Sequence, residues 1–282
     1  MSTKADRARD WELLCQEEGC REVRWTDVRC LRTRQVDAGP MRYVEVYPVT
    51  RTRGSVRRAK ARVTREAQQK VNRRRARERV EQLIHENFTE GDTFLTLTYR
   101  NEDARIGEDE VRRDARNYVR ALKRLAKKTG RELKYLYVME LPEKQDWDAR
   151  SYRESAGWHI HMVISGVDRD AAESLWQYGY SDGRRLQDST ERFTALARYM
   201  TKRRDSARLW ARSRNLREPR VRITDRRPAK AALDRIARSA RADGRAMVEQ
   251  IMPGYRCLED PTVTVCDWID GCYLRVRMRR VT

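Results

Sequence analysis

The hydrophobic positions of this 282-residue chain follow two spacings. In some short stretches every second residue is hydrophobic, which is typical of a β-strand with one buried face. In longer stretches the hydrophobic residues recur three and four positions apart, which is typical of an amphipathic helix. Both spacings occur from about residue 41 to the end of the chain, so the sequence predicts a mixture of strands and helices.

These spacings place the elements as follows. The predicted helices are Glu66–Phe88, Glu108–Lys128, Asp170–Tyr178, Ser189–Arg204 and Pro228–Gln250. The predicted strands are Met41–Val49, Thr93–Tyr99, Leu133–Glu140, 158–164, Tyr180–Leu186, the end of Trp210–Thr224, Thr262–Cys266 and Cys272–Met278. Residues 142–157 predict a polar loop, and the other residues before position 66 give no clear pattern.

The strand 158–164 carries the first candidate for chemistry. The chain has three histidines, and two of them, His159 and His161, lie one residue apart in this strand. The alternation turns Ile160 and Met162 toward a core and both histidines toward the opposite face. Imidazoles so placed stand roughly 6.6 Å apart at the backbone and can converge on one cation. The alternative is a pair of polar residues on a solvated strand face.

A metal site with open positions needs a third protein ligand, and Glu140 is the strongest candidate. It ends the predicted strand Leu133–Glu140, which the 142–157 connection allows to pair with the histidine strand. Two histidines and one carboxylate suit Mg²⁺ or Mn²⁺ where the substrate supplies phosphate oxygens, and Fe²⁺ in oxygenases. A single solvated glutamate is the alternative.

The predicted helix Ser189–Arg204 supplies a candidate nucleophile, Tyr199. Its phenol shares a helix face with Lys202, one turn on. A phenol has a pKa of about 10 and attacks poorly when neutral, and a neighbouring ammonium favours the phenolate. A tyrosine and a lysine three residues apart are also common on helices with no catalytic role.

The positive charge lies in two blocks. The net charge of the chain is +20. Residues 51–80 hold thirteen Lys and Arg against two Glu, and residues 203–245 hold fifteen Lys and Arg against five Asp and Glu. Codon bias could explain why these cations are mostly Arg, but it does not explain the clustering. The distribution therefore predicts a polyanionic partner that lies along particular surfaces.

The three motifs, in this order, resemble those of the rolling-circle replication initiators of the HUH endonuclease superfamily. Strand Thr93–Tyr99 is similar to their Phe-x-Thr-Leu-Thr motif, His159 and His161 to their metal-binding strand, and Tyr199 with Lys202 to their Tyr-x-x-Lys helix. The likeness is closest to the branch found in phages and integrated elements. Three further segments are similar to that branch, namely Asn87–Asp92, Trp176–Tyr180 and Ser213–Pro219.

The resemblance covers roughly residues 66–282 and implies an α+β fold, with a central antiparallel sheet in the manner of a split βαβ module and helices on one face. It divides the chain into an N-terminal extension of unknown role, residues 1–65, a nicking domain, residues 66–206, and a basic C-terminal region with a helix and a closing hairpin, residues 207–282. We expect this last region to pack on the nicking domain.

The resemblance also implies roles for individual residues. His159, His161 and Glu140 would bind a divalent metal, Mg²⁺ or Mn²⁺, and Tyr199 would be the nucleophile, assisted by Lys202. Neither neighbouring position one helical turn away is a tyrosine, since Ala195 and Arg203 stand there, so a single-tyrosine enzyme is implied. DNA contacts are expected at Arg73, Arg74, Arg77, Arg192, Arg198, Arg203, Arg204 and Arg214.

The implied function is nicking and rejoining of single-stranded or hairpin origin DNA through a 5′-phosphotyrosine, in a phage, plasmid or integrative element. The sequence contains no phosphate-binding loop, so a host helicase is implied beside a host polymerase. No signal peptide or membrane span is predicted, which favours the cytoplasm of a bacterial host. Two alternatives remain, a single-tyrosine transposase and a non-catalytic nucleic-acid-binding module of the same topology.

Overall fold

A computed structural model of the protein describes residues 28–50, 66–100, 107–141, 157–202, 210–226, 244–266 and 271–281. The strands are β1 (Val28–Ala38), β2 (Met41–Thr50), β3 (Thr93–Tyr99), β4 (Lys134–Glu140), β5 (His159–Ser165), β6 (Gly179–Arg185), β7 (Trp210–Arg212), β8 (Arg220–Arg226), β9 (Tyr255–Cys257), β10 (Thr262–Cys266) and β11 (Gly271–Arg280). The helices are α1 (Glu66–Asn87), α2 (Glu108–Lys128), α3 (Arg169–Glu173), α4 (Thr194–Met200) and α5 (Gly244–Ile251). They form two compact units, Ala76–Glu218 and the segments Met1–Arg75 with Pro219–Thr282.

The unit Ala76–Glu218 is built on a five-stranded antiparallel sheet with the strand order β6-β3-β5-β4-β7. The predicted α+β class with an antiparallel sheet is thus confirmed. Strand β5 lies in the centre, and its residues from Ile160 to Ile164 are all buried. A strand that is buried on both faces needs cover on both, and this requirement decides where the helices lie.

Helices cover both faces of this sheet, so the expectation of helices on one face is wrong. On one face the side chains of Leu95, Ile160 and Met162 pack with α2, whose buried residues are Val111, Asp114, Ala115, Tyr118, Val119, Leu122 and Ala126. On the other face Val138 and Val163 pack with residues of α1 and α4. The second layer is required because the even-numbered side chains of β4 are as hydrophobic as its odd-numbered ones, apart from Glu140.

Asn87 fixes the end of α1 by hydrogen bonds to two parts of the chain. Its amide nitrogen donates to the carbonyls of Leu83 and Arg217, at 3.0 and 2.9 Å, and its amide oxygen accepts from the backbone N–H of Arg217 at 2.7 Å. The chain then turns at Gly91, where φ is +87°, and Asp92 accepts from the backbone N–H of Thr89. The Asn87–Asp92 segment is therefore structural in these contacts.

We expect Asn87→Ala to lower the free energy of unfolding by about 1–3 kcal/mol, because the buried polar groups that it pairs would be left without partners. Urea denaturation followed by circular dichroism would measure this change. Glu90→Ala, at an exposed position of the same turn, is the control and should change stability little. Equal effects of the two substitutions would show that Asn87 does not fix the helix end.

The other unit contains a six-stranded sheet in the order β10-β11-β2-β1-β8, with β9 also paired to β11. The predicted strand Met41–Val49 is confirmed as β2, and the two predicted C-terminal strands as β10 and β11. The sequence did not predict β1, because its buried residues Leu31, Val36 and Ala38 do not keep a period of two. Its polar residues pair across the sheet instead, as in the contact of Arg32 with Asp225 at 2.6 Å.

Several predicted helices are shorter in the structure. Ser189–Arg204 contains only α4, because Arg192 has a left-handed backbone with φ of 54° just before the helix. Asp170–Tyr178 contains α3, which the Asp168 side chain caps at its N-terminus. Of Pro228–Gln250, α5 covers the end, and residues 228–243 lie outside the described residues. None of the described helices has the length and apolar character needed to span a membrane.

Candidate active site

The predicted chemical residues meet on one face of the central sheet. His159 lies directly opposite Glu140 on β4 and Thr98 on β3. His161, two residues on, lies opposite Thr96 on β3. Because cross-strand neighbours point to the same side of a sheet, these five side chains share one face. The predicted alternation of the histidine strand and its predicted pairing with the Glu140 strand are both confirmed.

His161 is the most enclosed of these residues. Its Nε2 lies 3.0 Å from a carboxylate oxygen of Glu140, and the side chains of both residues are only 3% exposed. Its Nδ1 lies 3.4 Å from the hydroxyl of Thr96. The imidazole is thus held on both sides, and its Nε2 is directed at the carboxylate.

His159 repeats this arrangement one step along the strand. Its Nδ1 lies 3.0 Å from the hydroxyl of Thr98. The two imidazole rings are nearly parallel, with an interplanar angle of 11° and ring centroids 6.2 Å apart. In both histidines a threonine hydroxyl engages Nδ1, so Nε2 is the ring nitrogen that is left to act toward a ligand.

The donor set suits a divalent cation in kind, since it combines two imidazoles with one carboxylate. As the side chains stand, no group of three or more His, Cys, Asp or Glu residues in the described ranges is arranged to hold a metal ion. Glu140 instead contacts Nε2 of His161 directly. A cation bound here would take the place of the proton that these two groups share.

Tyr199 lies beside the histidines, on the exposed side of α4. Phe193, Ala197 and Met200 bury the inner side of this segment, as their spacing predicts, and Tyr199 is 43% exposed. Its ring meets the imidazole of His161 edge-on, with centroids 5.0 Å apart. The tyrosine is therefore next to His161 and still open to solvent.

Lys202 completes the group from just beyond the end of α4. Its Nζ lies 4.6 Å from the centroid of the Tyr199 ring and 3.7 Å from a carboxylate oxygen of Glu140. The carboxylate of Glu140 is thus shared between His161 and Lys202. Contacts of this kind hold the ammonium close to the phenol without neutralising it completely.

The phenol of Tyr199 is protonated at neutral pH. Partial burial raises the pKa of Tyr199 above its usual value, and the negative charge of Glu140 raises it further. Asp182 has the same direction of effect, and Arg184 opposes it. A reaction that uses this oxygen as a nucleophile must therefore remove its proton.

The comparison with known protein families agrees with this arrangement. Residues 92–204 match the family model of the replication-associated protein ORF2. This segment contains β3, the histidine strand and the Tyr199–Lys202 pair, so it includes every candidate catalytic residue. The match supports a role in replication initiation, as the motifs predict. No curated protein and no solved structure matches the chain.

Sequence reasoning missed several neighbours in this replication-associated segment. Strand β6 lies beside β3, and its residues Tyr180, Asp182 and Arg184 are in register with Thr98, Thr96 and Phe94. They therefore share the face of the histidines. The period-two alternation of β3 could have identified Thr96 and Thr98, because both hydroxyls fall on one face. The pairing partner of β3 could not be read from the sequence.

The arginines predicted to contact DNA fall into different surroundings. The Arg198 side chain is 60% exposed, whereas that of Arg192 is 12% exposed and donates to the carbonyl of Phe88 at 2.8 Å. Arg77 donates to the backbone carbonyl of Lys202 at 3.2 Å. Arg74 is partly buried in α1, and Arg214 is exposed after β7. The side chain of Arg73, and Arg203 and Arg204 entirely, lie outside the described residues.

Two other singled-out residues have structural contacts. Trp176 donates from its indole nitrogen to the carbonyl of Thr98 at 3.2 Å and packs edge-on against Tyr99 and Tyr118. The third histidine, His85, is fully buried in α1 and lies 3.3 Å from the hydroxyl of Thr194. These contacts fix the strand and the helix that carry the site.

Proposed function

We propose that the protein initiates rolling-circle replication of a mobile element by nicking single-stranded origin DNA, with Tyr199 as the only nucleophile. The observation that carries the proposal is the position of the Tyr199 phenol, 5.0 Å from the ring of His161 and within reach of the Lys202 ammonium. A phenol, an ammonium, two imidazoles and a carboxylate on one open sheet face match the needs of phosphodiester transfer.

In the proposed reaction the oxygen of Tyr199 attacks the scissile phosphorus in line with the 3′-oxygen of the preceding nucleotide. The phenol loses its proton as the new phosphorus–oxygen bond forms. The bond between phosphorus and the 3′-oxygen breaks, and that oxygen takes up a proton. The products are a 5′-phosphotyrosine and a free 3′-hydroxyl that a polymerase can extend.

Lys202 has two tasks in this reaction. Its positive charge stabilises the phenolate as the proton leaves, and it can also balance the charge on the phosphoryl oxygens. His159, His161 and Glu140 would hold a Mg²⁺ or Mn²⁺ ion, which when bound supplies a Lewis acid for the scissile phosphodiester. Thr96 and Thr98 orient the imidazoles through Nδ1.

Rejoining is the reverse of nicking. A 3′-hydroxyl attacks the phosphotyrosine, the phosphorus–tyrosine bond breaks, and the phenol regains its proton. The covalent link conserves the energy of the original phosphodiester, so no nucleotide cofactor is needed. The sequence holds no phosphate-binding loop, and we therefore propose that a host helicase unwinds the DNA for a host polymerase.

The deciding experiment incubates the protein with Mn²⁺ and single-stranded DNA labelled at either end, and separates the products on a denaturing protein gel. A nicking enzyme of this kind retains the label of the 3′ fragment on the protein, because the tyrosine holds the 5′-phosphate of that fragment. It releases the other fragment with a 3′-hydroxyl. A protein that only binds DNA gives no covalent adduct, and this result would refute the proposal.

The basic face of α1 should bind DNA phosphates. We expect the triple substitution of Arg73, Arg74 and Arg77 by Ala to weaken binding of single-stranded DNA. Removal of each cation that binds a phosphate should reduce the slope of log affinity against log salt concentration by about 0.7. Fluorescence anisotropy over a range of salt concentrations measures both quantities.

The matched control removes three exposed cations from another helix of the same unit, Arg113, Arg116 and Arg120 of α2. This variant has the same net charge as the α1 variant. A change in slope of equal size in both variants would mean that only total charge matters, and that the α1 face makes no particular contact with DNA.

A further inference from the structure

A cleft of about 720 Å³ lies in the unit Ala76–Glu218, away from the candidate active site. Its walls are the C-terminal half of α2, the start of β4 and the turn after β7. Tyr135 in the cleft and Glu140 in the active site lie on the same strand, five residues or roughly 16 Å apart. Tyr135 also packs with the core on the α2 face, whereas Glu140 points to the opposite face.

The charge of the cleft is strongly positive. Lys123 and Lys127 lie one turn apart on α2, and Arg131 and Arg214 complete the rim. All four side chains are exposed, and no carboxylate of the described residues forms an ion pair with any of them. Glu132 is the one acidic residue among those that line the cleft.

The cleft is a built feature rather than a gap between mobile side chains. The backbone N–H of Ser213 donates to the carbonyl of Tyr135 at 2.9 Å, and the Ser213 hydroxyl accepts from the N–H of Tyr135 at 3.2 Å. The amide nitrogen of Asn215 donates to the carbonyl of Leu133 at 3.1 Å. These three hydrogen bonds join the turn after β7 to β4, so they fix the position of Arg214 relative to the strand.

The cleft also presents an aromatic ring. Tyr135 is partly exposed, and its ring is anchored by Tyr137, with centroids 6.2 Å apart and an interplanar angle of 16°. Lys123 holds its Nζ 5.9 Å from the Tyr135 centroid. A cationic groove with an aromatic surface is the combination that binds single-stranded nucleic acid, since phosphates meet the cations and a base stacks on the ring.

From this juxtaposition we propose that the cleft is a second binding site for single-stranded DNA, remote from the nick. Phosphates contact Lys123, Lys127, Arg131 and Arg214, and an unpaired base stacks on Tyr135. The inference relies on the proposed function only in that nucleic acid is the ligand. It explains the exposed Arg214 without placing it at the reaction.

The test measures the affinity of a fluorescein-labelled 20-nucleotide oligo-dT by anisotropy, without divalent ions, so that a failure of the nicking chemistry cannot affect it. Lys123→Gln combined with Lys127→Gln should lower the salt slope by roughly 1.4, because two phosphates would no longer be neutralised. The control combines Arg120→Gln with Arg124→Gln, the same spacing on the same helix but outside the cleft. Equal decreases in the two variants would overturn the proposal.

A second pair of variants tests the aromatic contact. Tyr135→Ser should weaken oligo-dT binding roughly 5- to 150-fold because the base can no longer stack, and Tyr135→Phe should keep wild-type affinity. Arg214→Gln, at an exposed position, provides a variant that does not disturb the core if Tyr135→Ser proves unstable. Wild-type affinity of both Tyr135→Ser and Arg214→Gln would exclude this cleft as a DNA site.

Competition identifies the ligand chemistry. Unlabelled oligo-dT should displace the probe from the wild type far better than thymidine monophosphate or inorganic phosphate, which occupy only part of the cleft. If poly-glutamate of equal charge displaces the probe equally well, the cleft has no preference for nucleic acid, and the proposal fails.

Discussion

Tyr199→Phe should abolish nicking and the covalent protein–DNA adduct together, while DNA binding and metal binding remain. The substitution keeps the ring, its edge-on contact with His161 and nearly all of its volume, and it removes only the hydroxyl. Removal of an essential nucleophile lowers the rate by several orders of magnitude, so we expect a fall of roughly 10³-fold or more. Denaturing gels of end-labelled DNA would measure both products.

Tyr180→Phe is the matched control for this experiment. Tyr180 is 68% exposed on β6, and its register with Thr98 places it on the face of the histidines. No other tyrosine of the described residues combines such exposure with this face, so it is the natural rival of Tyr199. We expect the Tyr180 variant to form the adduct at the wild-type level.

Peptide mapping of the trapped adduct would decide between the two tyrosines directly. A 5′-phosphorylated nucleotide on Tyr180, or an adduct that persists in the Tyr199 variant, would show that Tyr199 is not the nucleophile. Tyr199 is favoured because Lys202 lies 4.6 Å from its ring and Glu140 is close enough to influence its pKa.

The residues on the candidate site face could be predicted from the sequence because their spacing is local. Alternation within a strand places His159 and His161 on one face whatever the rest of the fold, and the helical period does the same for Phe193, Ala197 and Met200. The pairing of the strands of Glu140 and His159 was also predictable, since they are consecutive strands and such strands often pair.

The contacts that depend on distant parts of the chain could not be predicted. Strand β6 follows the histidine strand in the chain but pairs with β3, so nothing local places Asp182 beside Thr96. The same holds for β1, whose Arg32 pairs with Asp225 from β8, almost 200 residues later. A polar strand that is satisfied by such long-range ion pairs has no hydrophobic period to recognise.

The end of α4 was misplaced for a different reason. The apolar positions continue at helical spacing into Met200, and the sequence has no helix-stopping residue before Arg204. In the structure the hydroxyl of Thr201 donates to the carbonyl of Ala197 at 2.7 Å, and the helix ends there. Side chains that bond to the preceding turn compete with continuation of a helix, and such competition is hard to detect from spacing alone.

The second large effect concerns the metal. We expect His159→Ala and His161→Ala each to abolish nicking that depends on a divalent ion, with the fold intact, because each removes one ligand and leaves the hydrophobic core in place. Calorimetric titration with Mn²⁺ provides a readout besides activity and should show weakened or abolished binding in both variants. Tyr199→Phe, which keeps all three ligands, is the control and should bind Mn²⁺ like the wild type. Wild-type nicking rates in either histidine variant would exclude the site.

Glu140→Gln should impair nicking strongly but less than the removal of a histidine. The amide keeps an oxygen at the ligand position and removes the negative charge that attracts the cation. The same charge raises the pKa of Tyr199, so its removal should lower that pKa and make the phenol easier to deprotonate. The two effects oppose each other in activity, but only the first weakens Mn²⁺ binding. Unchanged Mn²⁺ affinity in this variant would mean that another residue completes the coordination.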